Sequence, residues 1–247
     1  MNKINETGHA MNVANFFKLV AYCEAYGGKY NPSNPNLQIP YLRELCANSK
    51  SLSGVVNELM APHNAARTER ALAFKPLSPL ATRLLNAIKA STTDSKVDDN
   101  IKTYVRKIKG ERASAKTVAV QVEGVVPTDA PNEQSSSQLD FNNRLNYLDI
   151  LIKQLAFIPQ YAPNEPELQV GSLQNLYNDL SAKNNAAVDV QVRIDNARLS
   201  RDKVMYAPLT GLVSIALDTK SYVKSVFGPT SPEYKQISGL KFTQYNL

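Results

Sequence analysis

The chain has 247 residues, 43% of them hydrophobic, with 28 Lys and Arg against 22 Asp and Glu. This length suits one large domain or two small ones, and the composition excludes a collagen-like or wholly disordered protein. Two cysteines and two histidines are too few for a disulfide scaffold or a structural zinc site, so we predict buried thiols at Cys23 and Cys46, no metal and no cofactor.

The N-terminal region lacks the long apolar run of a secretory signal or a transmembrane helix. We therefore expect a cytoplasmic protein without a membrane partner, with residues 1–11 as a flexible N-terminus. A first helix is predicted from Asn12 to Ala25, because Phe16, Phe17 and Val20 recur at three- and four-residue spacing.

A proline-containing turn, Tyr30 to Ile39, follows the first helix, and a long helix follows the turn. Pro62 falls inside that helix and predicts a kink, because proline removes one intrahelical hydrogen bond. Two shorter helices are predicted next, from Leu77 to Ala90 and from Val97 to Lys109.

Residues 111–138 are rich in serine and contain two prolines, which is typical of a linker. Thr117 to Val122 alternates as a strand would, but a lone strand has no partner for its backbone. We favour a mobile linker here, with addition of this strand to the edge of another sheet as the alternative.

The second half repeats the helical pattern. A helix is predicted from Leu139 to Phe157, and a proline turn at Tyr161 to Val170 follows it. No proline then appears before Pro208, so the sequence supports a continuous helix of about 38 residues, roughly 55 Å long. Helices from Leu209 to Phe227 and from Glu233 to Ile237 complete the chain.

The two halves are related by an internal repeat. Tyr30 to Ile39 recurs as Tyr161 to Val170, at an offset of 131 residues, with the tyrosine, both prolines, the leucine and the glutamine identical. The offset also relates apolar positions and arginines over roughly seventy residues, which indicates duplication. We therefore predict an all-α fold of two tandem pseudo-repeats, 12–110 and 139–247, each an antiparallel helical bundle with one long helix.

Paired arginines near the end of each long helix are the first candidate site. Each pair is three residues apart and so shares a helix face, which would form an anion-binding site twice: Arg67 and Arg70, then Arg198 and Arg201. The alternative is that these arginines cap helix carbonyls or pair with nearby carboxylates such as Asp195 or Asp202.

Basic residues around Tyr104 form the second candidate site, a nucleic-acid-binding surface of Lys102, Arg106, Lys107 and Lys109. The basic excess of the chain lies in this half, because residues 1–110 hold 15 Lys and Arg against 8 Asp and Glu. Such an excess can favour an anionic partner, but more often it is simply a solvated surface.

The sequence offers no catalytic motif. The second repeat replaces His63 with Ile194 and Cys23 with Gln154, so we assign no catalytic residue and expect His63 to face a helix seam. An enzyme with a carboxylate site at the junction between the repeats is an alternative.

The segment from Ala216 to Lys235, with Asn196 to Tyr206 before it and Leu240 to Phe242 after it, looks like a family of duplicated helical proteins from Bacteroidetes. The resemblance implies an all-helical fold and no assigned activity, and it supplies no catalytic residues. We therefore expect a non-enzymatic helical interaction or scaffold protein that binds a protein partner or self-associates, with nucleic-acid or anion binding as the alternative.

Overall fold

The computed structural model describes residues 6–91, 93–111 and 140–245. These residues form helices and their connections, and none of them lies in a β-strand, which confirms the all-α prediction. The α-helices are α1 (Glu6–Ala25), α2 (Ile39–Phe74), α3 (Leu77–Ala90), α4 (Ser95–Lys109), α5 (Phe141–Ala156), α6 (Val170–Tyr206), α7 (Leu212–Phe227) and α8 (Pro232–Ser238). The strand considered at residues 117–122, and the predicted linker beyond Glu111, lie outside the described residues.

The helix bounds differ from the sequence prediction mainly at their N-termini. Helix α1 begins at Glu6 rather than Asn12, so residues 6–11 are helical. Helix α4 begins at Ser95 because the Asp94 side chain accepts a hydrogen bond from the backbone N–H of Lys96, at 2.8 Å. Such a cap satisfies one of the helix's unpaired N–H groups.

The long helices α2 and α6 run for 36 and 37 residues. The length predicted for α6 is therefore confirmed. Helix α2 continues through Pro62 without a break in its helical residues. Proline removes a single hydrogen bond, and the packing of buried side chains on α2, such as Val56 and Phe74, holds the rest of the helix.

The proline turns have the same local structure in both halves. The Tyr30 hydroxyl donates to the carbonyl of Leu37 at 2.6 Å, and the Tyr161 hydroxyl donates to the carbonyl of Leu168 at 2.6 Å. Each turn continues into a short 3₁₀ helix, Pro35–Leu37 and Pro166–Leu168, whose first residue is a proline. Proline suits this position because the first helical N–H groups have no partner.

The chain divides into two compact units that cut across the predicted repeats. Unit 1 comprises residues 1–64 and 190–247, and unit 2 comprises residues 65–189. Each unit therefore takes one part of α2 and one part of α6, although the repeat boundaries at 12–110 and 139–247 would assign each long helix whole to one half.

In unit 1, α1 packs against α7 and α8. The core is built from aliphatic and aromatic side chains of these helices and of the adjoining parts of α2 and α6, with Phe16, Leu19, Leu42, Leu212 and Val223 all buried. Both predicted thiols, Cys23 and Cys46, are free and buried here, which confirms that prediction.

In unit 2, α4 packs against both α3 and α5. Arg144 of α5 lies buried among them and donates to the backbone carbonyls of Ile108 and Phe74, at 3.1 and 3.3 Å. Those carbonyls belong to the last turns of α4 and α2. Carbonyls in a last turn have no intrahelical partner and carry partial negative charge. Arg144 therefore joins the ends of two helices to a third, and burial lowers its pKa.

None of the helices within the described ranges has the length and apolarity that a membrane span requires.

Candidate functional site: a polar network along α6 and the outer face of α1

A chain of polar contacts follows one side of α6 through unit 1. Its members on α6 recur at three- and four-residue spacing, so they share one helix face: Gln191, Asp195, Arg198, Arg201 with its neighbour Asp202, and Tyr206. The facing residues come from α1 and α2. The network therefore joins three helices. Sequence spacing predicts that the α6 members share a face, but it does not predict which residues of α1 and α2 they meet.

His63 of α2 lies at the end of the network that contains Gln191. Its side chain is buried, and Nε2 donates to Gln191 Oε1 at 2.7 Å, because an amide oxygen can only accept. Gln191 in turn donates to Asp195 Oδ2 at 2.8 Å. The expectation that His63 faces a helix seam is confirmed, and its contacts are those of a residue that holds α2 against α6.

Glu6 joins the two arginines of the second predicted pair. Its carboxylate lies 3.4 Å from Arg198 Nε and accepts from Arg201 Nη1 at 2.5 Å. Arg201 also donates from Nε to Asp202 at 2.9 Å, and its side chain is only 3% exposed. A buried guanidinium needs such compensation, since an unpaired charge in the interior is costly. The Nε and Nη1 donors of Arg201 are therefore taken up by carboxylates of the chain itself.

His9 is held in one neutral tautomer. Arg201 Nη2 lies 3.1 Å from His9 Nε2 and can only donate, so Nε2 is the acceptor. The ring proton therefore resides on Nδ1 and is donated to the Tyr206 hydroxyl, 2.6 Å away. Burial and the Arg201 charge lower the pKa of His9, and the Asp202 and Glu6 carboxylates oppose this effect only in part.

Two asparagines extend the network to the C-terminal segment. The Asn12 side chain donates to the Tyr206 hydroxyl. It also donates to the Thr243 carbonyl at 2.8 Å and accepts from the Thr243 N–H at 2.9 Å. Asn15 donates to the carbonyl of Lys241 at 2.8 Å. These side chains satisfy an extended backbone that has no helical hydrogen bonds of its own, and they fix the C-terminal segment on α1.

The first predicted arginine pair has a different environment, in unit 2. Arg70 donates to Asn184 Oδ1 at 3.3 Å and stacks on the Phe141 ring, with its guanidinium carbon 4.2 Å from the ring centre. Arg67 is exposed. The two arginine pairs therefore do not form matching sites, and Arg198 and Arg201 have the carboxylate partners that the alternative interpretation expected. Anion binding by these four arginines stays a prediction.

The basic residues of α4 lie on more than one side of the helix. Lys107 lies over the Tyr147 ring at 4.9 Å and the Tyr104 ring at 5.6 Å, which is the geometry of a cation–π contact. Lys109 pairs with Glu111 at 2.6 Å. Lys102 is exposed and Arg106 is half-buried. Of the four residues predicted to bind nucleic acid, Lys102 is therefore the one most available to a phosphate.

Helix α1 buries polar residues in its first half and apolar residues such as Phe16 and Leu19 in its second half, and it also exposes apolar residues on its other side. His9, Asn12 and Asn15 are 2%, 1% and 7% exposed. On the other side lies a row of small and apolar residues, all exposed, which we term the outer α1 face: Ala10, Met11, Ala14, Phe17 and Ala21. Phe17 is 65% exposed. This exposed apolar row is additional to the apolar stripe that a surface helix ordinarily turns to the core.

The outer α1 face borders an apolar groove between α1 and the first part of α2. The groove has a volume of about 340 Å³. It is lined by Phe17, Val20, Ala21 and Glu24 of α1 and by Arg43, Cys46, Ala47 and Lys50 of α2. Glu24 and Arg43 form an ion pair at 2.5 Å across it, and the guanidinium holds the pKa of Glu24 below its usual value. Lys50 is exposed.

Sequence reasoning missed Glu6, His9 and Asn12, because residues 1–11 were assigned to a flexible terminus and the apolar stripe alone defined the first helix. A signal was present. His9, Asn12 and Phe16 recur at the three- and four-residue spacing of one helix face. A search for apolar residues at helical spacing does not find polar residues that are buried because they hydrogen-bond to one another.

Comparison with models of protein families, with curated proteins and with solved structures gives no match for this chain. The architecture and the contacts described above are therefore the basis for the functional proposal.

Proposed function

We propose that this chain is a non-enzymatic interaction or scaffold protein, and that the outer α1 face is the surface that receives its partner. The apolar outer face of α1 carries this proposal. The inward side of α1 is held by polar contacts at His9 and Asn12 and by core packing at Phe16 and Leu19, and the outward side leaves Phe17 65% exposed. Burying a phenylalanine side chain contributes about 1.5–3 kcal/mol. A partner that covers the outer α1 face recovers this free energy, which the free chain does not.

The polar network contributes by fixing where α1 lies. Glu6, His9 and Asn12 hold α1 to α6 and to the C-terminal segment through directional contacts. A rotation of α1 that buried Phe17 would break these contacts and would also expose Phe16 and Leu19, which are fully buried. The polar network and the apolar core therefore act together to keep the outer α1 face outward.

Site-specific crosslinking in the cells that make this protein tests the proposal. A photoreactive phenylalanine analogue replaces Phe17, and the same analogue at the exposed Lys203 of α6 is the control. We expect a discrete protein adduct from position 17, abolished by Ala14→Glu, and none from position 203. Equal adducts at both positions, or none at position 17, would contradict an interaction surface here.

The finer organisation forms part of the same proposal. We infer two tandem pseudo-repeats that share one bundle architecture, supported by the identical Tyr30 and Tyr161 hydrogen bonds and by the nearly equal lengths of the long helices. We also propose a cytoplasmic location and membership of the Bacteroidetes helical family. The first rests on the apolar pattern of the N-terminal region, and the second on the resemblance of the segment from Ala216 to Lys235.

A second candidate function is binding of nucleic acid on α4. Lys102, Arg106 and Lys109 are spaced four and three residues apart, so they lie on one side of the helix. Fluorescence anisotropy with a labelled single-stranded oligonucleotide tests it at 50 and 200 mM salt. Binding that weakens with salt and is lost in Lys102→Glu supports this function, and salt-independent or absent binding removes it.

A further inference from the structure

We propose that the occupant of the α1–α2 groove is an amphipathic helix of a partner protein that carries acidic residues beside its apolar stripe. This inference rests on the proposed function and names the kind of partner. Shape and charge support it separately, from the residues that line the groove and from the outer α1 face.

The shape of the surface suits a helix. Ala10, Ala14, Phe17 and Ala21 recur at intervals of four, three and four residues, which is the spacing at which two packed helices meet. Alanines let a second helix backbone approach closely, and Phe17 projects between them. The partner's own apolar residues, three or four apart, then enter the groove beside Phe17, as in other helix-in-groove complexes.

The lining of the groove suits apolar side chains. Val20 and Cys46 form its floor and are 4% and 8% exposed, and Ala21 and Ala47 form its walls. The groove has a volume of about 340 Å³, and burial of leucine-sized side chains against its apolar floor would be favourable. The free cysteine at the floor adds a small apolar surface, because burial raises its pKa and keeps it a thiol.

The charges around the groove select an acidic partner. Glu24 is committed to Arg43 at 2.5 Å, so the carboxylate that lines the groove is already paired. Lys50 lines the groove and Lys18 adjoins Phe17 on α1, and both are exposed. Glu44 is also exposed on α2 but does not line the groove. A helix that brings carboxylates to Lys18 and Lys50 is therefore favoured over one that brings cations.

Two synthetic helical peptides test this inference. They share the same leucines at positions i, i+3, i+4 and i+7 and differ only in flanking charges, which are all glutamate in one and all lysine in the other. Binding to the full chain is measured by fluorescence anisotropy at 50 mM salt. We expect the glutamate peptide to bind about tenfold more tightly, the effect of a few exposed charge pairs at low ionic strength.

Charge reversal in the chain supplies the decisive comparison. The Lys18→Glu, Lys50→Glu double variant should reverse the preference, so that the lysine peptide binds more tightly. The matched variant Lys203→Glu, which changes an exposed charge elsewhere in unit 1, should leave both affinities unchanged. Phe17→Ser should weaken both peptides without altering which of them is preferred. Far-UV circular dichroism confirms that each variant retains the helical fold.

Three results would overturn the inference. One is that neither peptide binds the wild-type chain, and another is that both bind equally. The third is a concentration-dependent dimer, measured by light scattering, that Phe17→Ser abolishes, since the occupant would then be a second copy. If crosslinking at position 17 still captures a partner while the peptides show no charge preference, only the acidic-helix inference fails. If crosslinking also fails, the interaction function fails with it.

Discussion

Replacing His9 with glutamine should remove a pH dependence from the stability of this protein. In the folded chain, His9 is neutral because Nε2 accepts from Arg201. A proton on Nε2 would end that hydrogen bond and place a positive charge beside the guanidinium. Glutamine also offers N–H donors and a carbonyl acceptor, but it does not titrate.

The sign and size of the effect follow from proton linkage. The pKa of His9 is lowered in the folded state, whereas an unfolded histidine has a pKa of about 6.5. The unfolded chain therefore binds more protons as the pH falls below about 6.5, and the free energy of unfolding decreases. The stabilisation is fully present above that pH. Between pH 6.5 and the folded pKa of His9, the free energy of unfolding falls by at most about 1.4 kcal/mol per pH unit, because a single group binds the proton.

Urea unfolding followed by circular dichroism at pH 7.5, 6.5 and 5.5 measures this change. Glu24 and Glu167 also have lowered pKa values, but their contribution is lost only nearer pH 4, below the measured window. The wild-type chain should lose stability between pH 6.5 and 5.5, and His9→Gln should lose much less. His63→Gln is the matched control, because it replaces the other histidine of the chain and should keep the pH dependence.

The reasoning is refuted if wild type and His9→Gln lose the same free energy between pH 6.5 and 5.5. It is also refuted if a proton NMR titration places the His9 pKa above 6.5. The two ring signals are easy to assign, since the chain contains only two histidines and each variant removes one.

Further predictions concern local contacts. Tyr30→Phe and Tyr161→Phe should each lower the free energy of unfolding by about 1–2 kcal/mol, because each leaves a buried carbonyl without its donor; a large difference between them in urea unfolding would contradict equivalent turns. Gly8→Ala should destabilise the chain, because the added Cβ would overlap the hydroxyl of Tyr245. Gly54→Ala has open space around the added Cβ, so it should stabilise α2 by about 0.5–1 kcal/mol in thermal unfolding. Burial raises the pKa of Cys23 to about 12, so its reaction with a thiol reagent at pH 8 should be slow in the folded chain and fast in urea; rapid labelling of native protein would show that the site opens.

Local sequence signals predicted most of the helices. The bounds of α3 match because Pro76 precedes it and its apolar positions have clear helical spacing. The proline turns were predicted as turns because Pro35 and Pro166 suit only the first residues of a helix. In each case the deciding interactions lie within a few residues along the chain.

The polar network lay beyond such reasoning. Glu6 and Arg201 are separated by 195 positions in sequence, and nothing in the local pattern relates an N-terminal glutamate to the far end of α6. The repeat places Arg70 and Arg201 at matching positions, but their contacts differ. Arg70 meets an aromatic ring where Arg201 meets carboxylates. Residues that match in a repeat keep their helix position, but their partners come from segments that the repeat does not conserve.

The division of α2 and α6 between the compact units has a consequence for synthesis and for truncation. Unit 1 requires residues 190–247 as well as residues 1–64, so the ribosome must complete almost the whole chain before the first residues can find their partners. Unit 2 is a continuous segment and can form earlier. A gene fragment that encodes either repeat alone would yield one complete long helix but neither complete unit. A truncation at either end of unit 1 should therefore remove partners that the remaining segment of that unit needs.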